Sequence, residues 1–489
     1  MVFTLASSVR VRIAPSPTGS LHVGTARTAL YNYLFARHNK GAFVLRLEDT
    51  DELRSKEEHT KDILEGLHWL GITWDEGPDI GGPFPPYRQT EKVEQYKAAA
   101  VKLIETGHAY HCFCSSEELD AMRAEQKAAA QAERYDNRCR DISPEQVAAH
   151  QKAGRQPTVR LKIDESRVVS WNDLVKGKIE IGTTELGGDM VIVKSTGMAL
   201  YNFAVVIDDV DMKMSVVIRG EDHIHNTAKQ LLIYEALGAT PPEFAHAPLI
   251  FDIERTKLSK RKHGEMVHVD KYKRDGYMPE AIVNYLAQMS WQPADGREVF
   301  TLAEAAEMFD LDRLSKSPAV FDVAKLNWFN GQYIRSLPLN VVTDRAMPFL
   351  AAYDLKQYSR EELEHIVGSV REGLTMLAES KDAARFYFDK KVEPNDDANA
   401  ALGADNAKNV LKTVLDRVDQ FPWGDAKGCK SVIDGIGKEL GLKGKDLYWP
   451  VRAALQGKTS GPDLGVTLSI LGKDRVKTRI EGALGLCHR

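Results

Sequence analysis

Residues 12–25, with the sequence RIAPSPTGSLHVGT, are the first segment whose residue types and spacing suit a chemical task. Two prolines and a glycine stiffen a turn between a strand-like stretch and a helical run. The amino end of that helix offers free N–H groups and a positive dipole end to a phosphate. His22 can donate to a phosphate oxygen, and Gly24 lets a nucleotide lie close to the backbone. A lone His-x-Gly is usually a plain turn, but the whole string favours a nucleotide site.

Residues 257–263, KLSKRKH, carry four lysines or arginines in seven positions. One interpretation is a solvated basic loop or a general RNA-binding patch. Chemistry offers another, because a carboxylate that attacks an α-phosphate builds charge on the phosphate oxygens and the departing pyrophosphate. Ammonium groups that close over those oxygens stabilise the transition state more than the ground state.

A third group of reactive side chains contains cysteines. Cys112 and Cys114 form a close pair, and Cys139 follows with Asp141 two residues later. Three thiolates and one ligand of another type complete a tetrahedral zinc site, for which Asp141 is the predicted oxygen ligand and Tyr135 the alternative. Free buried cysteines, or a site that has lost its metal, are the alternatives. A structural zinc would fold the surrounding segment without taking part in chemistry.

The elements around the first motif alternate in type. Residues 9–13 and 42–47 have strand patterns, and residues 22–38 and 51–70 have helical ones. This strand–helix–strand–helix order predicts a doubly wound parallel α/β sheet of the Rossmann type. Its ligands bind at the carboxyl ends of the strands, where the first motif lies.

The later chain changes character twice. Residues 110–195 look like an insertion, with a helical run at 116–132 and strand-like pieces at 158–163 and 189–194. Parallel-strand signals resume at residues 205–207 and 215–218. Helical patterns dominate after residue 250, a boundary is expected near residues 336–338, and residues 340–489 read as nearly all helix.

Composition limits the class of protein. The 489 residues are 43% apolar and 28% charged, which is typical of a soluble globular protein of several domains. No stretch approaches a membrane span, residues 1–8 do not resemble a secretory signal, and five cysteines are too few for a disulfide scaffold, so we expect a cytoplasmic protein. The net charge of −5 hides an asymmetry, since residues 401–489 hold 15 Lys and Arg against 10 Asp and Glu. This segment suits RNA phosphates or an ordinary helical surface equally well.

The two motifs together, in this order, resemble the signature pair of class I aminoacyl-tRNA synthetases. The bacterial-type glutamyl-tRNA synthetases are the close match, because LEDTD at 47–51 and VIRGEDH at 217–223 also fit them. The resemblance is strong over residues 10–335, whereas the C-terminal part matches mainly in length, helicity and LGK at 471–473.

This resemblance implies a domain order and a set of site residues. The expected domains are a catalytic sheet (1–110 and 196–250), an inserted acceptor-stem domain with zinc (111–195), a mobile-loop and connecting domain (251–337) and a helical anticodon-binding region (338–489). Glutamate needs two cationic partners and one anionic one. Arg12 and Arg219 resemble the arginines that bind its carboxylates. Val205 departs from members with a polar residue there. Other implied contacts are Glu48, Ala14, Ser16 and Tyr201 for glutamate, and His22, Gly24, Lys257, Ser259, Lys260 and Arg261 for catalysis and ATP.

The implied reaction has two steps. The α-carboxylate of L-glutamate attacks the α-phosphorus of ATP, with Mg²⁺ on the phosphates, to give glutamyl-adenylate and pyrophosphate. The terminal adenosine hydroxyl of tRNA(Glu), by resemblance the 2′-OH, then attacks the acyl carbon. The resemblance also implies that tRNA helps to assemble the glutamate site, and we expect a monomer.

Three other functions compete with this interpretation. A glutaminyl-tRNA synthetase shares both motifs, but its neutral substrate does not need Arg219. A nucleotidylyltransferase that uses the same turn would not explain the helical C-terminal region. A silent RNA-binding relative would not need His22, Arg219 and Lys260.

The sequence also bears on the choice of tRNA. Family members that charge only tRNA(Glu) tend to place an arginine against the third anticodon base, where it favours cytosine. Our alignment puts Gly373 at that position, with Arg371 two residues earlier. A glycine would not exclude guanine, which predicts that tRNA(Gln) is also charged with glutamate. The alternative is an alignment shifted by two, in which Arg371 is the selective residue.

Overall fold

The computed structural model describes residues 8–51 and 54–487. They form two compact units: Met1–Lys271 with Ile282–Asp322, and Tyr272–Ala281 with Val323–Arg489. The described residues exclude 1–7, 52–53 and 488–489. Parts of the predicted domains and of the predicted helix at 51–70 fall on these residues and therefore lie outside the described ones. The domain limits expected from the sequence stay predictions.

The first unit contains the strands. They are β1 (Arg10–Ile13), β2 (Ala42–Leu45), β3 (Ala109–Cys112), β4 (Thr158–Leu161), β5 (Val168–Asp173), β6 (Gly177–Gly182), β7 (Val191–Val193), β8 (Val216–Gly220), β9 (Glu243–Ala247), β10 (Ile250–Phe251) and β11 (Ala319–Val320).

Helices occur in both units. Those up to residue 308 are α1 (Val23–His38), α2 (Glu57–Trp69), α3 (Val93–Glu105), α4 (Ser116–Ala128), α5 (Pro144–Lys152), α6 (Tyr201–Asp211), α7 (Ile224–Leu237), α8 (Lys260–His263), α9 (Val269–Arg274), α10 (Pro279–Gln288) and α11 (Leu302–Met308). The second unit continues with α12 (Val323–Ser336), α13 (Leu339–Leu350), α14 (Arg360–Val370), α15 (Ser380–Phe388), α16 (Asp396–Leu402), α17 (Ala407–Asp416), α18 (Ala426–Leu440), α19 (Lys445–Gln456) and α20 (Leu464–Leu484).

The predicted parallel sheet is confirmed. β1 pairs in parallel with β2, and β8 pairs in parallel with β9. β1 also lies beside β8, because the Ser215 amide donates to the Arg10 carbonyl at 3.0 Å. β1 and β8 therefore bring residues 12–13 and 219–220 to one edge of the sheet, which is where open α/β sheets bind ligands.

The segment expected to be an insertion builds its own sheets. β3, β4 and β7 form an antiparallel sheet, and β5 and β6 form a hairpin in which Asp173 pairs with Gly177. Its helix α4 begins in a capping box formed by Ser115 and Glu118, which satisfies the first amides of the helix.

Two local predictions are wrong. Residues 205–207 are helical within α6, because a buried apolar run has the same composition in a helix as in a strand. The second helix begins at Glu57 rather than at Asp51. The Arg54 and Ser55 amides turn back to the Asp51 carbonyl, and the Lys56 amide donates to the Pro17 carbonyl at 3.1 Å, which holds this stretch against the first motif.

The second unit confirms the predicted helical region. Its helices pack in pairs, including α13 with α14, α16 with α19 and α18 with α20. α20 is broken at Gly472, whose φ of 71° suits a residue without a side chain. None of the described helices is both long enough and apolar enough to span a membrane.

Candidate active site

A cavity of about 540 Å³ opens where β1 and β8 end. Its wall combines the turn after β1, the start of α1, the end of β8 and the basic loop before α8. Arg261 is exposed and does not line it. The other residues that we predicted for glutamate, ATP and catalysis all do: Arg12, Ala14, Ser16, His22, Gly24, Glu48, Tyr201, Arg219, Lys257, Ser259 and Lys260.

The amino end of α1 presents a neutral donor to the cavity. His22 is the N-cap, and its Nδ1 accepts a hydrogen bond from the Gly24 amide at 2.9 Å. In a neutral imidazole the proton is then on Nε2, which is left free to donate. Burial and then the charge of Lys260 lower the pKa of His22 to about 4, so the ring is neutral at pH 7. A Cβ at Gly24 would lie 3.1 Å from Nδ1 and crowd this cap.

The basic loop reaches the first motif. Lys260 Nζ donates to the Ser20 carbonyl at 3.3 Å, and burial lowers the pKa of its ammonium group. His263 secures the loop, because its Nε2 lies 2.8 Å from Asp252 Oδ2 and its Nδ1 accepts from the Ser259 amide at 3.2 Å. Gly19 is the glycine of the stiff turn, and a Cβ there would force Lys260 Nζ to move.

Lys257 takes part in the same wall through an acidic partner. Its Nζ lies 3.4 Å from Asp222 Oδ2, and both side chains are about half exposed. An exposed pair of this kind contributes little to stability, so Lys257 can exchange its partner for a phosphate at small cost.

A buried charge network lies behind the cavity and includes Arg12 and Glu48 of its wall. Arg12 Nε and Nη2 lie 3.2 and 3.3 Å from the Asp209 oxygens, and Arg46 Nη1 lies 2.8 Å from Asp209 Oδ1. Arg46 also lies 3.4 Å from Asp208 and 3.5 Å from Glu48. Sequence analysis missed Arg46, Asp208 and Asp209, although charged residues inside apolar runs were a signal that they are paired.

Glu48 is poised between two charge states. Burial raises the pKa of this carboxyl to about 7, although Arg46 and Arg12 act in the opposite direction. A cation bound beside it would favour the charged carboxylate. Glu48 therefore suits an ammonium group that enters the cavity.

Arg219 has one unused donor group. Its Nη2 donates to Thr227 Oγ1 at 2.5 Å and to Gln230 Oε1 at 2.8 Å, and its Nε lies 3.4 Å from His246 Nε2. Nη1 is buried and has no hydrogen-bond partner among the described residues. A buried guanidinium nitrogen without an acceptor is costly, so this site suits an anionic ligand. The sequence did not identify the three residues that hold Arg219.

Tyr201 adds a neutral polar group to the wall of the cavity. Its hydroxyl lies 3.0 Å from His223 Nδ1, and burial raises the pKa of the phenol to about 12 and lowers that of the imidazole to about 4. Both groups are therefore neutral hydrogen-bonding partners at pH 7. Val205 is buried in α6 and does not line the cavity, so its departure from related sequences leaves the wall unchanged.

The cysteines of the inserted segment form a cluster. The Sγ atoms of Cys112, Cys114 and Cys139 all lie within 4.8 Å of one another, and over residues 8–51 and 54–487 no other group of three His, Cys, Asp or Glu side chains is close enough to hold a metal. Tyr135 Oη lies 3.4 Å from Cys112 Sγ and 3.6 Å from Cys114 Sγ. Asp141 is exposed and outside this cluster, so the structure brings Tyr135 rather than Asp141 to the cysteines.

The helical unit has a larger cavity of about 1150 Å³. Gly373 lines it, and a Cβ there would meet no atom within 4 Å. Arg371 does not line it, and its Nε lies 3.7 Å from Glu372 Oε1. Charged residues of both signs are among the other lining residues: Glu372, Asp382, Arg385, Asp389, Lys390, Lys391, Glu393, Lys458 and Asp463.

Two family models together match most of the chain. Residues 8–328 match the family of class I tRNA synthetases (E and Q), catalytic domain, and residues 341–484 match an anticodon binding domain. A parallel sheet with a His-x-Gly turn and a lysine-rich loop at one cavity fits this description. The chain is thus a class I aminoacyl-tRNA synthetase.

Full-length relatives narrow the class. A glutamate–tRNA ligase of Carboxydothermus hydrogenoformans is 47% identical over 96% of this chain and 99% of its own, and one of Geobacillus thermodenitrificans is 44% identical over 98% and 99%. The crystal structure of a glutamate tRNA ligase from Elizabethkingia meningosepticum in complex with its amino acid has a TM-score of 0.90 at 34% identity, and covers 98% of this chain and 99% of that one. This chain belongs to the glutamate–tRNA ligase family.

Proposed function

We propose that this glutamate–tRNA ligase binds glutamate at the sheet end of the first cavity, with the side-chain carboxylate at Arg219. The unused Nη1 of Arg219 carries this proposal, because it is a buried cationic donor that lacks an acceptor. The amide of glutamine would leave the guanidinium without a charge partner, which disfavours that substrate.

The remaining groups of glutamate have matching partners in the same wall. Arg12 supplies the second positive charge, and Glu48 supplies the negative charge for the ammonium group. Ser16, Tyr201 and the Ala14 backbone add neutral contacts. All five line the cavity with Arg219.

ATP phosphates suit the opposite end, where α1 begins. The neutral His22 donates from Nε2, and Gly24 leaves the helix terminus open to an anion. Lys260, Ser259 and Lys257 come from the loop on the other side of the cavity. Arg261 lies outside this wall, so we propose no direct ATP contact for it without loop movement.

The reaction follows from these positions. An oxygen of the glutamate α-carboxylate attacks the α-phosphorus of ATP, and the bond to pyrophosphate breaks. Lys260 and its neighbours neutralise the charge that develops, while the binding groups hold the reactants in line. Magnesium travels with the ATP phosphates and would supply further neutralisation when bound. The terminal hydroxyl of tRNA then attacks the acyl carbon and releases AMP.

Pyrophosphate exchange tests the proposal. With ATP and tRNA(Glu) present, we expect exchange with glutamate and none with glutamine. The Arg219→Ala variant should raise the glutamate KM while the ATP KM changes little. Equal exchange with glutamine, or an unchanged glutamate KM in this variant, would contradict the assignment.

We also propose that the cysteine cluster binds one zinc ion with Tyr135 as the fourth ligand. In a tetrahedral site with Zn–S of about 2.3 Å and Zn–O of about 2.1 Å, an oxygen and a sulfur are separated by about 3.6 Å. The distances from Tyr135 Oη to the sulfurs of Cys112 and Cys114, 3.4 and 3.6 Å, fit this geometry.

Metal analysis distinguishes the two candidate oxygen ligands. Purified protein should contain one zinc, Cys114→Ser should lose it, and Tyr135→Phe should weaken its retention against a chelator. Asp141→Ala should keep the metal. Loss of zinc from Asp141→Ala but not from Tyr135→Phe would reverse the assignment, and zinc-free protein made with zinc supplied would overturn it.

A final proposal concerns tRNA. The inserted segment at 111–195 binds the acceptor stem and the region at 338–489 reads the anticodon. Gly373 leaves the second cavity open where an arginine would favour cytosine. We therefore propose that tRNA(Gln) also receives glutamate, which requires a separate amidating enzyme. Charging both purified tRNAs with labelled glutamate tests this directly.

A further inference from the structure

The tip of the β5–β6 hairpin contacts His246, which lies behind the wall of the first cavity and beside Arg219. Asp173 ends β5 and is 1% exposed. Its Oδ2 lies 2.5 Å from His246 Nδ1. Its Oδ1 accepts the amides of His246, Val175 and Lys176 at 3.2, 3.0 and 2.9 Å. Both carboxylate oxygens are therefore occupied, and the side chain has no freedom to rotate.

This contact fixes the tautomer of His246. Because Nδ1 donates its proton to the carboxylate, Nε2 is a bare acceptor. It lies 3.4 Å from Arg219 Nε and 3.0 Å from Thr227 Oγ1. Arg219 and His246 are also direct partners in the register of β8 and β9. The imidazole thus holds one edge of the guanidinium from the neighbouring strand.

Gln230 and Thr227 hold the next nitrogen. Both accept from Arg219 Nη2, so the described partners take up Nε and Nη2 and leave Nη1. A guanidinium binds a carboxylate well only when its plane is fixed. The orientation of Nη1 therefore depends on residues that do not line the cavity themselves.

We propose that Asp173 and His246 are positioning residues for glutamate, with the carboxylate setting the imidazole tautomer and the imidazole setting the plane of Arg219. This inference rests on the proposed function, which places the substrate carboxylate at Arg219. It makes the hairpin of the inserted segment a part of the amino-acid specificity of the catalytic sheet.

A second tether supports this role of the hairpin tip. Lys176 forms an ion pair with Glu221 and donates to the Lys316 carbonyl at 2.8 Å. Glu221 in turn accepts the Leu249 amide at 2.8 Å, and Leu249 lines the cavity. The tip is thus fixed to the chain that follows β8 as well as to β9.

The inserted segment provides a matched control. Asp189 is also 1% exposed, and its carboxylate accepts the Ile163 amide at 2.7 Å and the Tyr110 hydroxyl at 2.8 Å. It forms an ion pair with Arg140. None of these residues lines the first cavity. Asp189 is therefore, like Asp173, a buried carboxylate that accepts hydrogen bonds in the inserted segment, but it has no link to Arg219.

Pyrophosphate exchange with tRNA(Glu) present tests the inference, with separate titrations of glutamate and ATP. Asp173→Asn offers an N–H to His246, which moves the imidazole proton to Nε2 and turns a donor toward Arg219. We expect the glutamate KM to rise about tenfold or more and the ATP KM to change less than about twofold. Asp189→Asn should change the glutamate KM by less than about twofold, with thermal unfolding confirming that both variants fold.

His246 variants provide the second measurement. His246→Gln keeps an acceptor that does not depend on Asp173, so it should raise the glutamate KM less than His246→Phe does. In the His246→Gln background, Asp173→Asn should add less than about a twofold change. If Asp173→Asn does not fold, the comparison of His246→Gln with His246→Phe decides whether His246 positions Arg219.

Two results would overturn the inference. One is an equal rise of the glutamate KM in Asp173→Asn and Asp189→Asn, and the other is equal KM values for the Gln and Phe variants of His246. Arg219→Ala is the reference that separates the hypotheses. If Arg219→Ala raises the glutamate KM but either overturning result is found, only the positioning role fails. If Arg219→Ala leaves the glutamate KM unchanged, the proposed function fails.

Discussion

The two cavities of this enzyme differ in how far their walls define a ligand. In the first cavity, buried charges already have partners, and the unused nitrogen of Arg219 indicates an anion. The second cavity is about twice as large and contains exposed charges of both signs, such as Asp382 and Lys390. Under the proposed function, the comparison teaches that amino-acid choice is built into a preorganised wall, whereas we propose that tRNA choice depends on the side chain that Gly373 lacks.

A substitution in the basic loop of the first cavity should lower the adenylation rate without weakening tRNA binding. Lys260→Ala removes an ammonium from the place where charge develops, so we expect the adenylation rate to fall about 10²–10³-fold. Binding of tRNA should change less than about twofold. Rapid-quench measurement of glutamyl-adenylate and a filter-binding assay provide the two values.

The matched control for that loop is Lys262→Ala. Lys262 is an exposed lysine of the same segment that does not line the cavity, so both quantities should stay near those of the unchanged enzyme. Comparable losses of adenylation and tRNA binding in Lys260→Ala would instead indicate a simple RNA contact.

The glutamate end of the first cavity should respond to pH. Glu48 has a pKa raised to about 7 by burial, so its carboxylate is mostly protonated at pH 6 and mostly ionised at pH 8. Only the ionised form pairs with the substrate ammonium. We expect the glutamate KM to fall up to about tenfold between pH 6 and pH 8.

Glu48→Gln removes this titration. The variant should have a high glutamate KM with little dependence on pH, and the ATP KM should not follow Glu48 in either enzyme. A pH dependence of the same slope in Glu48→Gln would show that another group controls binding.

The sequence was enough to predict the family, because its chemistry needs contiguous motifs. The turn at 12–25 and the loop at 257–263 indicated the first cavity, because their glycine, histidine and lysines have few other uses in that order. Arg46, Asp209 and His246 were missed because each acts through a partner far along the chain, and spacing in sequence does not reveal such pairs. The run at 205–207 was assigned to a strand because burial on all sides hides the helical period.

The proposed fourth ligand of the zinc site illustrates the same limit. Asp141 lies close to Cys139 in sequence, yet the chain turns its side chain outward. Tyr135 lies in the cluster, and Arg160 covers its ring, with the guanidinium carbon 3.6 Å from the ring centre. Only tertiary packing decides between the two.

One substitution in the second cavity should make the enzyme more selective for tRNA(Glu) over tRNA(Gln). Gly373→Arg places a guanidinium where nothing lies within 4 Å of a Cβ, so the variant should fold without a clash at its first carbon. We expect kcat/KM for charging tRNA(Gln) to fall about fivefold or more, since the arginine would donate to the acceptor edge of cytosine, whereas guanine in that place is larger and differently patterned. Charging of tRNA(Glu) and tRNA-dependent pyrophosphate exchange should change less than about twofold.

The smallest expected effect concerns Arg371, and it decides between the two alignments. Arg371 does not line the second cavity and lies beside Glu372, so Arg371→Ala should change the ratio of tRNA(Glu) to tRNA(Gln) charging by less than about twofold. If the alignment is shifted by two, Arg371 is the selective residue, the unchanged enzyme leaves tRNA(Gln) uncharged, and Arg371→Ala begins to charge it. Initial rates on both purified tRNAs, for the unchanged enzyme and the two single variants, separate these outcomes. The glycine hypothesis holds only if tRNA(Gln) is charged before any substitution and Gly373→Arg alone reduces it.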